Sequence, residues 1–186
     1  MDTLDAIYQR RSVRAYRAKH VDRDVVDKLL DAAVQAPSAM NAQPWAFAVI
    51  QDRELLDDLS TRAKAHLLGT YDQDARLSRY RDVLSDPEFD IFYGAGLLII
   101  VCAGTEGLVP AEDCCLAGEN LMLAAVALGL GTCCIGWARP LLNLPEVKDE
   151  LGIDTDLSPI LPVIVGYPTG ETSLVPRNAP RIVSWK

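Results

Sequence analysis

The chain has 186 residues, 49% of them hydrophobic and 24% charged, with a net charge of −8. That size and balance fit one folded domain and exclude a disordered or fibrous chain. The acidic total argues against nucleic acid as the main partner. The longest apolar run, Leu97–Ala103, is far shorter than the roughly 18 residues of a membrane span. The N-terminal MDTLDAIYQRRSVR lacks the apolar stretch of a signal peptide. Five cysteines without a CxxC pair, and only His20 and His66 as histidines, give little material for a zinc site or a histidine triad. The expectation is therefore a cytoplasmic domain with reduced, mostly buried thiols and no metal.

The spacing of apolar residues predicts the elements in chain order. A short helix covers Thr3–Gln9, with Leu4 and Ile7 on one face. Asp22 then opens a clearer helix through Val25, Val26, Leu29, Leu30 and Ala33, stopped by Pro37. Trp45–Ile50 reads as a strand, and Leu55, Leu56, Leu59 and Ala63 mark another helix. Residues 66–93 mix charges with Tyr71, Tyr80, Phe89, Phe92 and Tyr93 in no period, with Gly69 and Pro87 as breaks. This segment is expected to add little to the core and to form a lid. Leu97–Ala103 reads as a buried strand. Ala111–Leu128 is apolar on more than one face, which implies burial either centrally or between subunits. Thr132–Trp137 is extended, Pro145–Leu151 a short helix and Ile160–Tyr167 a strand, followed by a proline-rich tail. Residues 1–186 are read as a single domain of α/β or α+β type.

Charge is unevenly placed. Residues 1–23 carry six Lys/Arg against three Asp/Glu, and residues 172–186 carry three basic residues and no acid. The stretch between them is strongly acidic. Two basic ends on an acidic protein suggest that the ends meet on an anion such as phosphate.

Gly129-Leu130-Gly131-Thr132 follows a helix rather than a strand, so it reads as a helix C-cap and not as a dinucleotide fingerprint. Arg10-Arg11-Ser12-Val13-Arg14 is more informative. In an extended backbone Arg10, Ser12 and Arg14 point to one side and form a cluster of donors suited to phosphate. The loop Ala36-Pro37-Ser38-Ala39-Met40-Asn41-Ala42-Gln43-Pro44 offers uncharged donors and acceptors suited to neutral, hydroxyl- or amide-rich ligand parts.

Taken together, RRSVR after an N-terminal helix, APSAMNAQPWAF after the second, GLGTCCIGW at 129–137, VGYP at 165–168 and the basic tail PRNAPRIVSW resemble the flavin-dependent nitroreductase family over essentially the whole chain. The resemblance implies an α+β fold with a central mixed sheet flanked by helices. It also implies a homodimer that buries the long helix and holds one FMN at each subunit interface. Arg10, Arg11, Ser12 and Arg14 are then implied to hold the FMN phosphate and ribityl or ring-edge oxygens. Pro37, Ser38, Ala39, Met40 and Asn41 are implied to line the flavin from the other subunit, with Gln43 supporting that loop. Ile135 and Gly136 are implied to bring backbone groups near the reactive edge of the ring, and Arg177, with Arg181 as rival, to complete the phosphate site. Neither Cys133 nor Cys134 matches a catalytic role, so both read as packing thiols.

The implied activity is a two-step exchange, from NAD(P)H through FMN to a small oxidant such as a nitroaromatic or a quinone. No catalytic side chain is required, because the cofactor carries the chemistry. A flavin-storing protein without turnover, or a dehalogenating or flavin-fragmenting enzyme of the same fold, are the alternatives.

Overall fold

The computed structural model describes residues 1–70, 78–170, 172–173 and 175–186. Helix α1, Thr3–Gln9, opens on a reciprocal cap: the Asp2 carboxylate accepts the Asp5 N–H at 2.8 Å, and the Asp5 carboxylate accepts the Asp2 N–H at 3.3 Å. Helix α2, Arg23–Ala33, buries Val26, Leu29 and Ala33 at the expected helical spacing. Strand β1, Trp45–Ile50, leads to α3, Arg53–Gly69, and the short α4, Arg81–Ser85. Strand β2, Leu97–Ala103, is buried along its whole length, and the long α5 spans Pro110–Ala127. Strand β3, Gly131–Cys134, then α6, Arg139–Leu142, α7, Pro145–Glu150, and β4, Ser158–Gly166, complete the fold. Among the described residues no helix is long and apolar enough to cross a membrane.

The strands form one sheet in the order β1-β2-β4-β3. Alternation along β2 sends Leu98, Ile100 and Cys102 to one face, against Leu56, Leu59 and Ala63 of α3 and Leu141 and Leu142 of α6. Leu97 and Ile99 go to the other face, against Leu29 of α2 and Ala117, Leu121 and Ala125 of α5. The class is α+β. Among the described residues the expected mixed sheet is instead antiparallel in all three ladders, and the one parallel pairing is an isolated bridge between Ser12 and Thr132. The continuous apolar run of β2 reflects helices on both faces rather than strand direction.

One further expectation changes, and for α5 one of the two alternatives drops out. Helix α5 is not buried on all sides within the chain. Cys114, Ala117, Gly118, Leu121 and Ala125 are buried, while Leu116 remains 47% exposed beside an exposed Cys115. Gly118 sits where a side chain would collide with Leu161 of β4, so the helix packs tightly on the sheet by one face only.

The proposed lid 66–93 also divides. Tyr71 lies outside the described residues. The later part is not a loose cover, because Leu84, Ile91 and Phe92 are fully buried. The Lys64 ammonium on α3 donates to the carbonyls of Asp86 at 2.8 Å and Phe89 at 2.6 Å, and the Ser60 hydroxyl accepts the Ile91 N–H at 3.0 Å. Irregular sequence here hides a chain pinned from another element.

Candidate active site

The segment after α1 lies along the ends of β3 and β4. The Val13 N–H donates to the Thr132 carbonyl at 2.9 Å, and the Arg17 N–H to the Tyr167 carbonyl at 2.8 Å. Two missing side chains make the approach possible. A Cβ at Gly131 would meet the Val13 side chain at 2.6 Å, and one at Gly166 would meet the Tyr16 ring at 2.8 Å. Val13 and Tyr16 face the protein, which turns Ser12 and Arg14 outward, and both are exposed.

Three clefts meet along this ledge. One, of about 330 Å³, is lined by Arg14, Tyr80, Tyr93, Cys133, Gly136 and Trp137. The next, of about 490 Å³, is lined by Arg11, Ser12, Arg14, Thr172, Ser173 and Arg177. A third, of about 580 Å³, lies beside it between Ile7, Tyr8, Arg10, Arg11, Glu119 and Arg177. Arg14 is common to the first two clefts, and Arg11 and Arg177 to the last two. The basic ends of the chain thus meet, and of the two tail candidates Arg177 is the one that reaches these clefts.

The arginines do not all point as an ideal strand predicts. Arg10 ends α1 with φ −56° and ψ 132°, and its guanidinium turns to Glu119 on α5 at 3.4 Å. It therefore leaves the cleft of Ser12 and Arg14, and Arg11 takes that side. Arg11 folds back and donates to the carbonyls of Tyr8 at 2.7 Å and Arg10 at 2.6 Å, satisfying the open end of α1. Among the described residues its buried Nε has no partner, and neither has the Oγ1 of Thr132 on the adjacent strand. Unpartnered buried donors beside a cleft are costly unless something fills it.

The first cleft is aromatic. Trp137 meets Tyr80 edge to face with centroids 5.4 Å apart, and Phe89 stands behind, 5.9 Å from Trp137 and 5.6 Å from Tyr93. The Arg14 guanidinium lies 5.9 Å from the centre of the Tyr93 ring. Gly136 opens to free space. The Ile135 N–H is already given to the Pro162 carbonyl at 2.8 Å, so it is not a free donor toward the cleft.

The loop 37–43 lies apart from these clefts within the chain. Met40, Asn41 and Gln43 all have positive φ, from 49° to 55°, which is unusual for residues with side chains. Two side chains hold that shape. The Ser38 hydroxyl accepts the Gln43 N–H at 2.9 Å, and the buried Asp113 carboxylate on α5 accepts the Ala39 N–H at 3.2 Å. Met40 is 88% exposed at the tip. The sequence reading missed Asp113, although a carboxylate within the apolar stripe of α5 is the signal that would find it.

Burial raises the Cys133 thiol, opposed by Arg14, the Ser12 hydroxyl and Arg10, whereas Cys134 is exposed at the end of β3. Cys134 packs its sulfur against that of Met122 at 3.6 Å. The site therefore offers cationic and hydroxyl donors next to an aromatic cleft.

Residues 7–167 match the model of the nitroreductase family. The chain belongs to that family. A nitroreductase with bound FMN from Bacteroides fragilis superposes with a TM-score of 0.81 at 28% identity, covering 100% of this chain and 98% of that one. A Methanothermobacter thermautotrophicus protein, provisionally named an NADH dehydrogenase/NAD(P)H nitroreductase, is 31% identical over 90% of this chain and 78% of its own length. The 5,6-dimethylbenzimidazole synthase of Rhodospirillum rubrum is also 31% identical, over 91% of this chain and 84% of its own. One nitroreductase framework therefore carries differently named reactions.

Proposed function

We propose that this nitroreductase-family chain is an FMN-dependent oxidoreductase. It passes two electrons from NAD(P)H to a small planar oxidant, a nitroaromatic or a quinone, and it works as a homodimer. The observation that carries this reading is the junction of the cationic clefts with the aromatic one at Arg14. A phosphate-bearing tail and a flat ring joined together match those two environments.

The donor set fits FMN. Arg11 and Arg177 neutralise the phosphate, with Arg10 at the margin, and the unpartnered Arg11 Nε gains an acceptor. Ser12 takes a ribityl or phosphate oxygen, and Arg14 stands where ring-edge oxygens need a cation. Tyr80, Tyr93 and Trp137 bound the ring space and exclude water from it. The loop 37–43 comes from a second copy, with Pro37, Ser38, Ala39, Met40 and Asn41 against the other face and Gln43 closing the loop. The same pairing covers the open faces of α1, α5 and the tail. When bound, the flavin supplies the redox chemistry, accepting hydride from the nicotinamide and returning two electrons to the oxidant.

The test is direct. Purified protein should be yellow and release FMN. Under anaerobic conditions NADH or NADPH should bleach the colour, and a quinone should restore it. A protein that binds FMN but is never bleached is a storage protein, and one that consumes its own flavin is the flavin-fragmenting alternative. A colourless protein that never takes up FMN refutes the flavin assignment altogether.

A further inference from the structure

Helix α3 carries an apolar stripe of Leu56, Leu59, Ala63 and Leu67, all buried. Two polar side chains lie on that same stripe, Ser60 and Lys64, with only 3% and 6% of their surfaces exposed. Burying an ammonium is costly unless its donors are taken up. Lys64 has no carboxylate partner among the described residues. It is held by carbonyls alone, those of Asp86 and Phe89, with the Pro87 carbonyl more distant at 3.5 Å. One turn earlier Ser60 receives the Ile91 N–H. An i, i+4 pair thus grips both ends of the segment that presents Phe89.

Phe89 does not line the aromatic cleft. Its ring wedges edge to face between Tyr93 and Trp137, which do. The chain of contacts runs from the Lys64 ammonium to the Phe89 backbone, from the Phe89 ring to Tyr93 and Trp137, and from those rings to the cleft wall.

We propose that Lys64, seconded by Ser60, is a positioning residue that sets the spacing of the aromatic wall and so the selectivity for planar oxidants. The inference rests on the flavin reading above. A flat quinone or nitroarene must pass the Tyr93 and Trp137 rings at the rim of the flavin space, and Lys64 places those rings through the Phe89 backbone and ring. A compact octahedral oxidant such as ferricyanide makes no stacking contact and is indifferent to the wall.

The experiment compares wild type with Lys64→Met, which keeps the length and removes the charge. It measures steady-state kinetics of the holoenzyme with a naphthoquinone, a nitroarene and ferricyanide, and tryptophan emission of the flavin-free protein. The expected result is a roughly tenfold fall in kcat/KM for the two planar oxidants, borne mainly by KM, with ferricyanide turnover unchanged within a factor of two. The Trp137 emission should also shift, since its stacked neighbours loosen. Equal losses with all three oxidants, or no loss with any, overturn the proposal. If Lys64→Met does not fold, Ser60→Ala is read in its place, with the same selective pattern at smaller amplitude. If no nicotinamide reduces the wild type, the flavin reading fails separately, and unchanged emission in the variant is then what overturns the role of Lys64.

Discussion

Residues 86–93 and residues 175–186 look alike in sequence. Both are irregular, with proline, aromatic and charged residues in no period. The chain treats them in opposite ways. The first is tied to α3 by Lys64 and Ser60 and sinks Ile91 and Phe92 into the core. The second leaves Val183 and Trp185 more than 85% exposed and makes no element of regular structure. Aperiodic sequence therefore reports only the lack of a repeating backbone. Whether such a segment is anchored depends on what a distant element offers it. Beyond Arg177, the apolar side chains Ile182, Val183 and Trp185 stay uncovered within the chain, and the second copy proposed above would cover them.

The contrast can be tested at its strongest point first. Phe92→Ala should cost about 3–5 kcal/mol of folding stability, read from urea unfolding, because it empties a fully buried position. A loss below about 0.5 kcal/mol, the ordinary range for an exposed site, would put this segment on the same footing as the tail.

Next comes Arg177→Ala, which should weaken FMN binding by roughly 1.5–3 kcal/mol through loss of a charged phosphate partner. Fluorescence titration of flavin-free protein measures it, and an affinity within a factor of two of wild type would remove Arg177 from the site.

Trp185→Ala sharpens the other side of the contrast. In an isolated chain its effect should stay within about 0.5 kcal/mol, as for other exposed positions. In a dimer covered by the tail, the melting temperature should depend on protein concentration, and the dependence should steepen in the variant. Sedimentation that shows a single monomeric species at every concentration would contradict the tail's proposed role.

The smallest effect concerns pH and the core thiols. Burial pushes Cys102 up to about 11 and Cys114 up to about 12, against an ordinary value near 9. Below pH 9 both folded and unfolded chains keep these protons, so the thiols add no pH dependence. Above it the unfolded chain releases protons that the folded chain retains, so stability should fall as pH rises from 9 toward 12. Melting temperatures across pH 7 to 11 should be level at first and then decline. A rise above pH 9 would reverse the sign assigned to these groups.

What the sequence discloses about this molecule is what local spacing encodes. The strands at Trp45–Ile50 and Leu97–Ala103, the helix at Arg23–Ala33 and the glycine end of α5 follow from neighbours a few residues apart, although Asp22 opens that helix without a side-chain cap bond. At that end Gly129 takes φ +74° and the Leu130 N–H returns to the Ala125 carbonyl at 2.8 Å. The meeting of the basic ends was legible from charge alone. The turn of Arg10 to Glu119, the hold of Asp113 on Ala39 and the grip of Lys64 were not, because each joins residues far apart in the chain. One clue was available for the last. Ser60 and Lys64 occupy positions on α3 that its own periodicity assigns to the interior.

Gly131 and Gly166 bear on how this framework diversifies. They let the Ser12–Arg14 ledge lie flush on the sheet, so the proposed anion grip shares its coordinates with the core strands. The aromatic wall is fastened separately, by a few polar contacts from one helix. A lineage can redraw the wall, and with it the molecules admitted, without disturbing the grip. A single methyl group added at Gly131 would do the reverse, moving the ledge away from the sheet and with it Arg14, the one ledge residue that touches the wall.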